Sequence, residues 1–225
     1  MWACDLSMLS EGKGGERNMI NSRFDGIPLY PHLIFVVDRP LISHFFFLLQ
    51  QGVLVRCRIG CSIAEFLREE IGADTQIVEK IQSIILDGKP VDDLETAFIK
   101  DGSTLALSAA MPGLVGATLR RGGAYSSFRS PITYHETGDT SARGEGSVQI
   151  KLFNLLMSDL GPKLLRKGVI LGAGDIISFA SGQSPDFWEG CREITLDSIP
   201  IDAGKLRDAA RFSGKDCFFL VVAEG

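Results

Sequence analysis

The residues with the most chemical potential lie between positions 113 and 129. Gly113, Gly116, Gly122 and Gly123 surround Arg120 and Arg121, and Arg129 follows. A glycine-rich backbone can aim successive N–H groups at one point, and guanidinium forks match carboxylate or phosphate geometry. Gly116, Arg120, Arg121, Gly122, Gly123 and Arg129 therefore form a candidate anion-binding set. No Gly-Lys-Ser/Thr follows at P-loop spacing, and Gly172-Ala173-Gly174 lacks the third glycine of a dinucleotide fingerprint. No cofactor is expected.

Other reactive side chains form no constellation. The five cysteines, Cys4, Cys57, Cys61, Cys191 and Cys217, are odd in number and scattered. That pattern suits small buried hydrophobes better than a disulfide framework. Cys57 and Cys61 lack the spacing of an iron–sulfur or zinc site, so no metal is expected. His32, His44 and His135 are the only histidines. His44 lies in an apolar run and reads as a core or boundary residue. Gly-x-Ser-x-Gly is absent. Glu69-Glu70 and Asp92-Asp93 read as solvated faces.

Stepping outward to the elements, the chain of 225 residues is 45% hydrophobic with a net charge of −5. It can bury a core, and its acidic balance opposes non-specific nucleic-acid binding. Residues 1–30 read as a polar tail without a secretory signal. The longest apolar stretch, 33–55, is broken by Asp38, Arg39, His44, Gln50 and Gln51, so it is too polar to span a membrane. A cytoplasmic protein is the expectation.

The elements then repeat. Leu33–Val37 reads as a strand, Leu41–Gln51 as a short helix stopped by Gly52, and Val53–Ile59 as a strand. Val55, Cys57 and Ile59 face inward there, with Arg56 and Arg58 outward. Ser62-Ile63-Ala64-Glu65 is a capping box that starts a helix. Thr75–Ile81 is a second helical stretch, Ser83–Leu86 a strand, Asp87-Gly88-Lys89-Pro90 a turn, and Thr104–Ser108 a closing strand. From Ser147 the order returns. Val148–Phe153 is a strand with Ile150 and Leu152 inward. A helix over 155–165 breaks at Gly161-Pro162, and Gly168 stops it. Strands follow at Val169–Leu171 and Glu193–Leu196, with a short helix or turn at Asp175–Phe179 between them. Ser213–Asp216 turns into the closing strand Cys217–Val222, which is apolar on both faces and buries Leu220 and Val222. Leu86-Asp87-Gly88-Lys89-Pro90-Val91-Asp92 matches Leu196-Asp197-Ser198-Ile199-Pro200-Ile201-Asp202. Gly52 with Gly168, and Leu105 with Phe219, recur at similar separations. The reading is a duplication: a tail at 1–30, a first domain at 31–112, a glycine-rich connector at 113–146, and a second domain at 147–225.

This order of elements resembles that of β-grasp (ubiquitin-like) domains. Val148–Phe153 followed by Asp159-Leu160-Gly161 resembles the opening of the small sulfur carriers, the small subunit of molybdopterin synthase and the thiamin-pathway carrier. Leu86–Val91 and Asp101-Gly102-Ser103-Thr104-Leu105-Ala106-Leu107 resemble their turn and last-strand entry. The resemblance implies an α+β fold of two tandem β-grasp domains. It also implies a C-terminal glycine whose carboxylate an adenylating enzyme activates for sulfur loading, which here would be Gly225. The penultimate residue is Glu224, where the carriers have glycine. Leu119-Arg120-Arg121-Gly122-Gly123 resembles a ubiquitin tail but lies inside the chain. The leading expectation is a non-catalytic binding or scaffold protein with a protein partner. A working carrier using Gly225 and an enzyme with its site at the Gly/Arg connector stand as alternatives.

Overall fold

The computed structural model describes residues 30–135, 143–207 and 217–225. The tail expected over 1–30, Cys4 and the turn at Ser213–Asp216 therefore fall outside the described residues, apart from Tyr30. The architecture is α+β: ten strands form one mixed sheet, in the order β4-β3-β5-β6-β2-β7-β10-β1-β8-β9.

The first segment supplies β1 (His32–Val37), a 3-10 turn into α1 (Phe46–Gln51), and β2 (Val53–Ile59). Val55 and Cys57 are buried and Arg58 is exposed, as the alternation requires. Ile59 is only half-buried at the strand end. Helix α2 (Ile63–Glu65) continues as a π-helical turn over Phe66–Glu70. The Glu65 N–H donates to Ser62 Oγ at 3.1 Å, and the Ser62 N–H donates to the Glu65 carboxylate at 2.8 Å. That is the capping box, both bonds made. Next come α3 (Thr75–Lys80), β3 (Ser83–Leu86), β4 (Lys89–Pro90) and β5 (Thr104–Ser108).

The connector is more ordered than its composition suggests. It holds α4 (Gly113–Leu119) and a 3-10 helix over Ser126–Ile132, and β6 (Gly144–Phe153) begins before residue 147. Helix α5 (Leu156–Lys167) runs unbroken through Gly161-Pro162, which corrects the expected break. Pro162 forfeits one helical hydrogen bond, a cost of about 3 kcal/mol. Against it, Leu156, Leu160, Leu164 and Leu165 are fully buried, each contributing about 1.5–3 kcal/mol. Burial outweighs the break. The chain ends with β7 (Val169–Gly172), α6 (Ala173–Gly182), α7 (Pro185–Glu189), β8 (Cys191–Leu196), β9 (Ile199–Pro200), α8 (Ala203–Arg207) and β10 (Cys217–Glu224).

Two five-strand halves share one pairing pattern. From each outer edge inward, β4-β3-β5-β6-β2 and β9-β8-β1-β10-β7 run antiparallel, antiparallel, parallel, antiparallel. The halves meet where Leu54 of β2 pairs with Ile170 of β7. The repeated turn is present at atomic detail. Asp87 and Asp197 both have φ of 50°, and Gly88 and Ser198 have φ of 78° and 67°. Pairs of positive φ make the tight hairpin turn that follows strand twist. Pro90 pairs with Ile85 and Pro200 with Thr195, so the two prolines hold the same place.

The strands are nevertheless exchanged. The Thr104 N–H donates to the Asp87 carboxylate at 2.7 Å, and the His32 N–H donates to Asp197 at 2.8 Å. Gln149 N–H reaches Ser103 O at 2.8 Å, and Phe219 N–H reaches Pro31 O at 2.9 Å. So β1 of the first segment stands in the second half where β5 stands in the first. Strand β10 answers β6, not β5 as the Leu105/Phe219 match suggested. Both segments contribute strands to one sheet that interleaves them. The physical reason is that alternation fixes a strand's face and not its neighbour. Leu33, Phe35 and Val37 of β1 and Phe218, Leu220 and Val222 of β10 are all buried and interchangeable by that criterion. Among the described residues no helix is long and apolar enough to cross a membrane.

Candidate functional site

Three places follow from the residues singled out above: the C-terminus, the Gly/Arg segment, and the ground between β5 and β6.

Strand β10 pairs in parallel with β1 up to Val37↔Glu224. One residue on, the Gly225 N–H donates to Val37 O at 3.1 Å. A Cβ on Gly225 would sit 2.4 Å from Val36 Cγ1 and 3.2 Å from Arg192 Cδ. Arg192 is itself held by Asp38 at 2.7 Å. The closing strand, expected to end at Val222, thus runs on through Glu224, and Ala223, Glu224 and Gly225 all lie alongside β1. The reason is that β1 extends to Val37 and still offers a carbonyl there.

The Gly/Arg segment folds inward. Arg129 is 3% exposed. Its Nε donates to Thr118 O at 2.7 Å, Nη1 to Thr133 Oγ1 at 3.0 Å, and Nη2 to Asp92 at 2.5 Å and Arg120 O at 3.4 Å. Asp92 also accepts the Gly122 N–H at 3.4 Å. Gly116 packs on the Met111 carbonyl, and Gly123 N–H donates to Arg120 O at 3.1 Å. Arg121 is anchored by its N–H to Gln82 O at 2.7 Å. Of the candidate set, Arg129 and Gly122 are engaged with the protein's own Asp92. Asp92 is therefore not merely a solvated face, and neither is Glu70, which accepts from Lys167 at 2.6 Å and Arg58 at 3.0 Å. Burial opposes ionisation of Glu70, but those two cations hold its carboxyl below the usual range.

The parallel pair β5·β6 leaves the sheet at Ser108 and Phe153, and two clefts flank that exit. The larger, about 370 Å³, is lined by Lys80, Gln82, Ala109, Ala110, Leu155, Ser158 and Asp159. Lys80 and Asp159 close one side with an ion pair of 2.9 Å. With its amide turned to satisfy both neighbours, Gln82 donates to Ala109 O and accepts from Arg120, each at 3.2 Å. Arg120 thus bonds a residue that lines this cleft. Carboxyl ends of parallel strands are where open sheets commonly bind ligands. These residues were invisible in the sequence because they come from four separated stretches. Asn154, which lines the smaller cleft, has φ of 57°, a conformation that a sequence does not announce.

The thiols are quiet. Burial, with Cys61 nearby, pushes the Cys57 thiol up to about 12, and burial pushes Cys191 up to about 11. Neither is a thiolate nucleophile at neutral pH. His44 is exposed rather than core, its Nδ1 2.9 Å from Gln183 Oε1. Among the described residues no cluster of three ligating side chains could hold a metal ion.

No family model matches the chain, no curated protein matches it, and no solved structure matches it.

Proposed function

We propose that this chain is a non-catalytic binding or scaffold protein of β-grasp type, a sulfur-carrier relative whose reactive tail has become part of the sheet. One observation carries the reading: Gly225 donates its N–H to Val37 O, so the residue that a carrier must present to an adenylating enzyme is tied to β1. A carrier needs a mobile glycine tail that can thread an enzyme channel. Glu224 stands where the carriers have glycine and adds bulk and negative charge there. Leu114, Val115, Phe128 and Ile132 of the connector are well exposed, and grouped apolar exposure supports a protein partner.

The test is incubation of the protein with ATP and the adenylating enzyme of its own cell, read by intact mass. No acyl-adenylate and no exchange of a terminal oxygen for sulfur is the expected result. A thiocarboxylate on the wild-type protein would replace this reading with that of a working carrier.

A further inference from the structure

The apolar surface of the connector carries an inference independent of the C-terminus. Six of the nine large apolar side chains that the described residues leave exposed lie between positions 111 and 132: Met111, Leu114, Val115, Tyr125, Phe128 and Ile132. They belong to two short helices and their flanks, and the helices pack on each other. Arg129 of the 3-10 helix donates through Nε to Thr118 O of α4 at 2.7 Å, and the Gly123 N–H donates to Arg120 O at 3.1 Å where the chain turns between them. Tyr125 and Phe128 stack, their ring centroids 6.1 Å apart. Apolar exposure concentrated in this way marks a docking surface.

The charge of the surface selects the occupant. Residues 111–135 contain Arg120, Arg121 and Arg129 and no Asp or Glu, in a chain whose net charge is −5. Arg129 is engaged with Asp92, so Arg120 and Arg121 set the sign of the rim. The complement is an apolar segment that carries acidic residues and no basic ones. The chain has such a segment outside the described residues. Within 2–11, Trp2, Leu6 and Leu9 stand at i, i+4 and i+7, and Asp5 and Glu11 are the only charged side chains. That spacing is the one by which a helix presents three anchors to an apolar surface. Reach is sufficient. The 18 residues 12–29 can span up to about 60 Å when extended. The six ladder steps from β1 to β3, against which α4 lies, measure about 29 Å.

We infer that residues 2–11 of this chain dock on the connector surface, with Trp2, Leu6 and Leu9 against Leu114, Val115, Phe128 and Ile132, and with the two carboxylates facing Arg120 and Arg121. The inference goes beyond the reading of this surface as a partner site: its first occupant is the chain itself, and a protein partner displaces it.

The test labels the full chain with 5-fluorotryptophan, which gives one 19F resonance for each of its two tryptophans, Trp2 and Trp188. Trp2→Phe assigns them, and a synthetic peptide of residues 1–12 supplies the position of an undocked Trp2. In the wild type the Trp2 resonance should stand away from the peptide position. In Leu114→Asp and in Phe128→Asp it should return there, with the Trp188 resonance unmoved as the check that the fold is intact. Arg120→Glu combined with Arg121→Glu should move it toward the same position. A Trp2 resonance at the peptide position in the wild type overturns the inference. So does a shift that survives both Asp variants, since the segment would then lie elsewhere. A shift that vanishes on dilution, together with a doubled mass in light scattering, also overturns it, because the occupant would then come from a second copy. None of these results bears on Gly225, whose test is the intact mass, so the two readings fail separately.

Discussion

At the scale of single residues, charge is used for construction. Glu70 shows how. Its carboxylate receives Lys167 and Arg58, and Lys167 also donates to the Glu70 carbonyl at 2.8 Å, so one cluster ties the end of the π-helical turn to the last turn of α5 and to β2. Because its folded pKa is depressed, its contribution is complete above the unfolded value of about 4.3 and is lost as pH falls through the lower folded value. Wild type should therefore exceed Glu70→Gln in denaturation midpoint at pH 7, and the gap should shrink as pH falls through and below the carboxylate range. A gap independent of pH would mean that the cluster contributes packing and not charge. Of these details, the sequence displays the capping box, because Ser62 and Glu65 are three residues apart. It does not display the Arg129–Asp92 pair, because nothing local links positions 37 residues apart.

At the scale of elements, the two helix-stopping glycines show both what repeats and what does not. Gly52 and Gly168 have φ of 117° and 101°, and each donates its N–H to a leucine carbonyl at the end of a helix. Both roles are legible in the sequence, since glycine is the residue that closes a helix in this way. Their surroundings are not. A Cβ on Gly168 would lie 2.1 Å from Phe219 Cζ, whereas one on Gly52 would meet the ends of two flexible side chains, Lys151 at 3.0 Å and Gln149 Nε2 at 3.3 Å. Gly168→Ala combines backbone strain with overpacking and should destabilise by about 2–4 kcal/mol. Gly52→Ala should cost about 1–2 kcal/mol, since only the strain remains. Equal costs, measured by chemical denaturation, would place Phe219 away from Gly168 and so loosen the placement of β10. The continuity of α5 through Pro162 is the complementary lesson: a local rule predicts a break, and four buried leucines on one face overrule it.

At the scale of the whole molecule, strand positions and facing residues were readable from alternation, while strand neighbours were not. Leu33, Val55, Ile150 and Leu220 are buried as their patterns require. The exchange of β1 into the second half, and of β6 into the first, depends on which parallel neighbour a strand finds across a long connection, and no short-range signal encodes that choice. The exchange also sets where Gly225 lies. Because β1 has left the first half, it lies beside β10 and receives the C-terminus; had each segment closed its own sheet, Gly225 would have had no Val37 carbonyl to meet. The most direct test is the backbone order parameter of the Gly225 amide, measured by 15N relaxation on the full chain. If the terminus is part of the sheet, the value should approach the roughly 0.85 of rigid backbone and match that of Val222. A value below about 0.6 at Gly225, with Val222 rigid, would describe a free glycine tail and contradict the claim that the terminus is locked.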